Sequence, residues 1–276
     1  MEKIISGKVR DVFKISEKEL VIVTTDRISA FDVILPSLIP DKGRVLNQIA
    51  LFWFNYTKDL VPNHLLNGEL PDEFRGEEYR ERTILVKRLT MLPFEFVVRG
   101  YMFGHMWETY KQGEDFCGYR FADKYQQAQK LFTPILTPST KADIGDEYIT
   151  MQTVADVVGD GMAEKIEHIC FALYERCYKY AYQRGIIIAD TKFEFGYDEN
   201  GQLYLADEIF TPDSSRFWSV ADYQIGISPQ SYDKQFVRDW LIEQGKDGVK
   251  PAPKLPTDII EKTAALYTEC LQIICN

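Results

Sequence analysis

Residues 186–196 read Ile-Ile-Ile-Ala-Asp-Thr-Lys-Phe-Glu-Phe-Gly. Ile186 to Ala189 form a short apolar, β-branched run, the pattern of a buried strand. The run passes directly into a segment dense in charge, with Asp190, Lys192 and Glu194. Residues 196–201 (GYDENG) make a turn into Leu203-Tyr204-Leu205-Ala206, and Asp207 and Glu208 follow. This reads as a hairpin whose strands both end in acidic residues, so the two acidic segments are expected to approach each other. Carboxylates near one lysine suit a Mg²⁺–nucleotide site, because Mg²⁺ takes hard oxygen ligands and keeps water and phosphates in its shell. A surface ion-pair network is the alternative, and the apolar run before Asp190 counts against it.

Upstream of this hairpin the pattern is helical. Met162, Ile166, Ile169, Leu173, Cys177 and Tyr180 recur at three- and four-residue steps, with Asp160 as N-cap and Gly185 as stop. Downstream, Asp233 caps a helix to Glu243, residues 246–256 form a Pro-rich connector, and a final helix carries Ile259, Leu266, Cys270 and Ile273. The first 90 residues are mainly strands. Val9–Phe13 and Leu20–Thr24 predict a hairpin around Ser16–Glu19. Ile84–Val86 and Phe94–Val98 predict strands either side of Leu92-Pro93, and residues 44–60 predict a helix with Leu46, Ile49, Trp53 and Phe54 on one face. The expected class is α+β, with a strand-rich N-terminal lobe over residues 1–90, a mixed and then helical lobe over 91–276, and a ligand cleft between them.

Composition narrows the function. The 276 residues carry 32 Lys and Arg against 42 Asp and Glu, a net charge of −10, which argues against a nucleic-acid platform. A local basic pocket for a phosphorylated metabolite stays open. No apolar run reaches the roughly 18 residues of a membrane span, and the first residues lack a signal-peptide core, so the expected compartment is cytoplasmic. Five cysteines without a C-x-x-C pair read as free thiols, with Cys170 and Cys177 packing in a core. Three histidines without zincin spacing argue against a His-based zinc site.

Three further segments concentrate polar chemistry. Ser6-Gly7-Lys8-Val9-Arg10-Asp11 combines a glycine for close backbone approach with two cations for phosphate oxygens, though it is not a P-loop; a solvated hairpin edge is the alternative. Thr25 to Asp32 follows a strand and holds Asp26, Arg27, Ser29 and Asp32. It reads as a functional loop or as a turn held by local Asp and Ser hydrogen bonds. Arg99 ends a strand, where a guanidinium can meet a carboxylate or phosphate bidentately. His105 follows at a helix start, where a local hydrogen bond is its simplest role.

In order along the chain, SGKVRDVF (6–13), TTDRISAFDVIL (24–35), LPFEFVVRGY (92–101), TPSTKAD (137–143), IIIADTKFEFG (186–196), LADEIFTPDSSRFW (205–218) and SYDKQFVRDWL (231–241) resemble the SAICAR synthetases of purine biosynthesis. The likeness runs from about residue 4 to about residue 270, and no carboxylase segment follows. It implies a two-lobed α+β ATP-binding fold, distantly like protein kinases and ATP-grasp enzymes. It also implies a ligase that joins L-aspartate to the carboxylate of CAIR, with ATP split to ADP and phosphate and with Mg²⁺.

Carried over by motif, the resemblance implies catalytic roles for Lys192, Asp32 and Lys8. Lys8 and Arg10 would hold ATP phosphates, Lys87 the adenine hinge at 86–89, and Glu194 the ribose. Asp26, Ser29, Asp32, Arg99, His105 and Arg216 would hold substrate, and Asp207 the Mg²⁺. Lys141 and Asp143 would line the same cleft. Two positions depart from the family pattern: His105 stands where Ser is common, and Gly145-Asp146-Glu147 lacks a usual preceding His. A different carboxylate–amine ligase on this scaffold would keep the ATP residues and change Arg99 or Arg216. A silent phosphometabolite-binding protein would have lost Lys192, Glu194 or Asp207. The expected partners are CAIR, L-aspartate and ATP, with no nucleic acid and no membrane. The last helix is open to packing within the chain or in a homo-oligomer.

Overall fold

The computed structural model describes residues 1–122, 124–141 and 147–276. Strands β1 (Glu2–Ser6), β2 (Arg10–Lys14) and β3 (Glu19–Thr24) form an antiparallel meander. Two short strands, β4 (Arg27–Ala30) and β5 (Val33–Leu38), and helix α1 (Lys42–Thr57) follow, and β6 (Thr83–Lys87) returns to complete a four-stranded sheet in the order β1-β2-β3-β6. The hairpin expected at 9–24 and the helix expected at 44–60 are both present, each within a few residues.

The second half contains β7 (Thr90–Met91), β8 (Phe94–Tyr101), α2 (His105–Lys111), β9 (Lys130–Thr140), α3 (Met151–Val158) and α4 (Asp160–Gln183). It continues with β10 (Ile186–Tyr197), β11 (Leu203–Ala206), β12 (Ser215–Ser219), α5 (Gln235–Glu243) and α6 (Thr257–Cys275). The expected apolar run of four residues is the start of a twelve-residue strand. β10 is the spine of a six-stranded antiparallel sheet: its first half pairs with β12, its centre with β8, and its last residues with β11 and β7. The polar segment 190–196 is therefore strand, not strand end.

Alternation along β10 sorts its residues between two faces. Thr191, Phe193 and Phe195 are fully buried on the core face, while Asp190, Lys192 and Glu194 share the opposite face. On β8, Phe94, Phe96 and Val98 enter the same core, leaving Glu95, Val97 and Arg99 beside the charged row. Each fully buried Phe contributes about 2 kcal/mol of burial free energy, so this register is strongly held; a slip of one residue would bury the charges.

The core extends across both halves of the chain. Val45, Leu46, Ile49, Trp53 and Phe54 of α1 pack with β8, β10, α4 and α6, and the β4–β5 hairpin packs against α5 and α6 through Ile28, Leu35, Val237 and Ile259. Cys170, Cys177 and Cys270 are buried in the main core as free thiols. Among the described residues, no helix is long and apolar enough to cross a membrane.

His64 joins the two sheets: its N–H donates to the Leu205 carbonyl (3.0 Å) and its carbonyl accepts from Lys87 N–H (2.8 Å). Burial, reinforced by the Arg10 charge, pushes its imidazole down to about 3, and Nε2 has no partner. The folded value lies below the unfolded one, so the unfolded chain takes up the proton first. The stabilisation is complete above about pH 6.5 and is lost progressively as pH falls toward 3. Between pH 6.5 and 4.5 the wild type should lose about 2 kcal/mol more unfolding free energy than His64→Phe, read from denaturant titrations. Parallel pH curves would show that His64 is not buried neutral.

Candidate active site

Asp190 lies between two arginines because β10 pairs with both β8 and β12: the register sets it opposite Arg99 on one side and Arg216 on the other. Arg216 Nη1 bonds its carboxylate, and Arg99 Nη1 lies 3.6 Å away. One carboxylate serves two guanidinium groups, so the cluster keeps a net positive charge. Arg99 is further fixed by Nε donating to Thr137 Oγ1 (2.9 Å), while the buried Nε of Arg216 has no partner. Gly104, at φ 63°, is needed here, since a Cβ would stand 2.7 Å from Arg216 Nη2. These arginines line a cavity of about 160 Å³ that also takes in His105, Ser214, Lys234 and Arg238. Its composition is that of an anion site. His105 is exposed at the start of α2 and stacks on Tyr148, with ring centroids 4.9 Å apart.

Two residues further along β10, Lys192 is ringed by acids. Nζ donates to Glu95 Oε1 (2.8 Å) and to Glu194 Oε1, and stands 3.7 Å from Asp207 Oδ2. Asp207 reaches this point because β11 ends beside Glu194, which pairs with Ala206. Lys141 bonds the other oxygen of Glu194. Arg10 Nη1 donates to Asp207 (3.1 Å) and its Nη2 meets Glu208 Oε2. Burial disfavours charge at Lys192 and Glu194, yet the ion pairs outweigh it: Lys192 is raised, and Glu194 is held well below the usual carboxylate range by Lys192 and Lys141. Asp207 behaves oppositely: burial, with help from Glu194 and Glu208, pushes it up to about 6 against the pull of Arg10 and Lys192.

Lys8, Arg10, Ser29, Asp32, Lys192 and Asp207 all line a second cavity, of about 540 Å³. Lys8 pairs with Asp32 across it; both are largely exposed, so the pair adds little stability. The segment 25–32 is not a loop: β4 runs to Ala30, which pairs with Val33, leaving Phe31 and Asp32 as a two-residue turn with φ of 50° and 58°. Positive φ at a phenylalanine is strained, and such strain gathers at functional sites. The two cavities share Lys192, Asp213, Lys234 and Arg238 as a common wall.

The other expected site residues stand elsewhere. Asp26 accepts from the Gly43 N–H (2.9 Å) and pairs with Arg82 (3.1 Å), fixing the start of α1 outside both cavities. Lys87 bonds Tyr204 Oη (3.1 Å) in a separate cleft of about 370 Å³, with Arg88, Leu89 and Asp198. Asp143 lies outside the described residues, as do Gly145 and Asp146.

Glu95, Lys42, Asp213, Lys234 and Arg238 were not singled out from sequence. Lys42 is wholly buried and pairs with Asp213 (2.6 Å), whose other oxygen accepts from Tyr267 Oη (2.7 Å). Lys234 takes the N-cap position expected for Asp233, which stands one residue earlier and accepts from the Gln235 N–H (2.7 Å). Burial, with Arg238 and Lys42 nearby, pushes the Lys234 ammonium down to about 8, Asp213 acting against the shift. An acidic residue and a lysine just ahead of an amphipathic helix carried the signal.

A strand-built cleft of two adjoining cavities, one cationic and one rich in carboxylates and lysine, defines an enzyme that brings anionic small molecules together. The comparisons with known proteins specify which. Residues 3–255 match the family model described as SAICAR synthetase, and the chain belongs to that family. It is 48% identical to the phosphoribosylaminoimidazole-succinocarboxamide synthase of Chromobacterium violaceum, over 99% of this chain and 98% of that one. It is 49% identical to that of Methylococcus capsulatus, over 95% and 91%. The fold matches the SAICAR synthase of Saccharomyces cerevisiae complexed with SAICAR at a TM-score of 0.91 and 39% identity, covering 99% of this chain and 94% of that one. A SAICAR synthetase in complex with ADP superposes at 0.68 with 25% identity, over 91% and 99%.

Proposed function

We propose that the two cavities hold the two halves of one ligation: ATP phosphates in the larger, CAIR in the cationic one, with L-aspartate joined to the CAIR carboxylate at the wall they share. That shared wall of Lys192, Asp213, Lys234 and Arg238 is the observation that carries the reading. The ADP and SAICAR bound by structural relatives support it. The nucleotide lobe is assigned to residues 1–90 and the substrate lobe to 91–276, with the base directed to the hinge at Lys87.

A carboxylate resists amines because oxide is a poor leaving group. Transfer of the γ-phosphoryl group to a CAIR carboxylate oxygen, with departure of ADP, gives an acyl phosphate. The aspartate amine then attacks the acyl carbon, the C–O bond to phosphate breaks, and the amine nitrogen gives up its proton to form the amide. Lys8, Arg10 and Lys192 neutralise phosphate oxygens, Arg99 and Arg216 grip the CAIR phosphate with His105 at its rim, and Asp32 and Ser29 face the reacting carboxylate. Glu194 orients Lys192 and offers its carboxylate to the ribose.

Mg²⁺ fits Asp207. Its carboxylate lines the larger cavity beside Lys8, Arg10 and Lys192, and Mg²⁺ usually takes one or two carboxylates, with phosphates and water completing its shell. Among the described residues no three acidic, His or Cys side chains group as a cage, a donor set that suits an ion shared with a nucleotide. When bound, the ion supplies further neutralisation of phosphate charge. ADP release is expected only when CAIR and L-aspartate are both present, measured in a coupled assay. Equal ADP release with CAIR omitted would defeat this reading.

A further inference from the structure

The wall shared by the two cavities is backed by buried charge. Asp213 lies in the segment between β11 and β12 and lines both cavities, yet each of its oxygens is engaged from behind. Oδ2 accepts from Lys42 Nζ (2.6 Å) at the start of α1, and Oδ1 accepts from Tyr267 Oη (2.7 Å) on α6. Lys42 and Tyr267 are wholly buried, with the ammonium 5.7 Å from the centre of the phenol ring. The neighbour of Lys42 fixes its place: Gly43 lets the first turn of α1 press on the end of β3, where a Cβ would stand 2.3 Å from the Thr24 carbonyl oxygen. Burial opposes charge at Asp213, but Lys42, with Lys234 and the Tyr267 hydroxyl, holds its carboxyl well below the usual carboxylate range. Taking two such charges out of water gains little or no stability over an apolar pair of similar size, so the pair calls for a reason other than stability.

Lys234 stands on the same wall and makes no hydrogen bond or ion pair among the described residues. Arg238, one turn further along α5, bonds only Gln235 Oε1, at 3.5 Å. Asp213 is the acid that acts most strongly on Lys234. Left unheld, its carboxylate would pair with Lys234 and cancel a cation that the wall offers to ligands. We infer that Lys42 and Tyr267 are positioning residues that hold the Asp213 carboxylate off Lys234, so that Lys234 stays open to a substrate anion. This role rests on the two-cavity reading above. The anion is a carboxylate of L-aspartate or the phosphate of CAIR, since an ammonium takes either as a point charge. A purely structural tie between α1, α6 and the 207–214 segment would need no charge, because apolar side chains would join them as well.

The test compares Lys42→Met and the double variant Lys42→Met/Asp213→Asn with the wild type. In Lys42→Met the freed carboxylate turns to Lys234, and the KM for CAIR or for L-aspartate should rise at least about 10-fold, that for ATP by less than about 3-fold. Which KM moves names the anion. The double variant removes the competing charge and should return that KM to within about 3-fold of the wild type. A pH profile adds a readout that a structural role would not move. Lys234 is faced by Asp213, Arg238, Lys42 and Glu208, and burial holds its ammonium down at about 8. For the affected substrate, kcat/KM should fall as pH rises through about 8 in the wild type and the double variant, and only at higher pH in Lys42→Met. Circular dichroism verifies folding. If Lys42→Met does not fold, Tyr267→Phe, which frees one oxygen of Asp213, should show the same shifts at about 3-fold in KM. Unchanged KM values and an unmoved pH limb in a folded variant would overturn the inference, as would a raised KM that the double variant does not reverse. Wild-type ADP release that ignores CAIR would instead defeat the two-cavity reading, so the two failures are distinct.

Discussion

Asp207→Asn should lower turnover by roughly 10³-fold, equivalent to about 4 kcal/mol of lost transition-state stabilisation, while the protein stays folded. The size is conserved and the charge removed. Asp207 sits at φ 59°, a conformation asparagine also tolerates, so the backbone has no reason to move. Its raised folded value carries a definite sign. The protonated form is favoured in the fold, so the ionised carboxylate weakens the free protein once pH rises through about 6. The neutral amide should therefore leave the Tm unchanged or raise it, even as it removes the metal's strongest claim on the site. Titration calorimetry gives a readout besides activity: Mg²⁺ should enhance ADP binding in the wild type and much less in the variant. Near-normal turnover at ordinary Mg²⁺ would take Asp207 out of the metal role.

Arg216→Ala should raise the KM for CAIR by roughly 30- to 1,000-fold, the loss of about 2–4 kcal/mol from a charge-assisted contact in a partly desolvated site. The KM values for ATP and L-aspartate should move little. Asp190 keeps Arg99 as a partner, so the variant is not left with an orphaned buried carboxylate. Arg216→Lys should recover only part of the loss, because an ammonium cannot reproduce the planar fork while also holding Asp190. A rise in the KM for ATP with none for CAIR would assign Arg216 to the other cavity.

The placement of Asp207 was legible as sequence, and the reason is periodicity, whereas Arg216 was singled out only by the family resemblance. The alternation of β10 separates Phe193 and Phe195 from Asp190, Lys192 and Glu194, so the strand that builds the core also presents the charges. The turn at 196–201 then fixes how Asp207 returns to Lys192. The same alternation on β8 placed Glu95 with Arg99, but a single glutamate between two phenylalanines carries no chemical signal until its neighbour strand is known. Lys42 and Asp213, 171 positions apart, become a pair only where the segment between β11 and β12 meets the start of α1. Asp26 carries no local sign that its carboxylate is engaged by the first turn of a helix and by Arg82, contacts that only the fold makes. The register of β12 against β10, which sets Arg216 beside Asp190, spans 26 residues and no local pattern announces it.

The order of chemistry is tested most directly with CAIR carrying ¹⁸O in its reacting carboxylate. If that carboxylate takes the γ-phosphoryl group, one of its oxygens must leave with phosphate when the amine displaces it. One ¹⁸O is expected in each inorganic phosphate formed during full turnover with L-aspartate, read by mass spectrometry, and no label transferred from ¹⁸O-aspartate. Unlabelled phosphate from labelled CAIR, with label arriving instead from the aspartate carboxylates, would contradict the acyl-phosphate route and the assignment of the two cavities that rests on it.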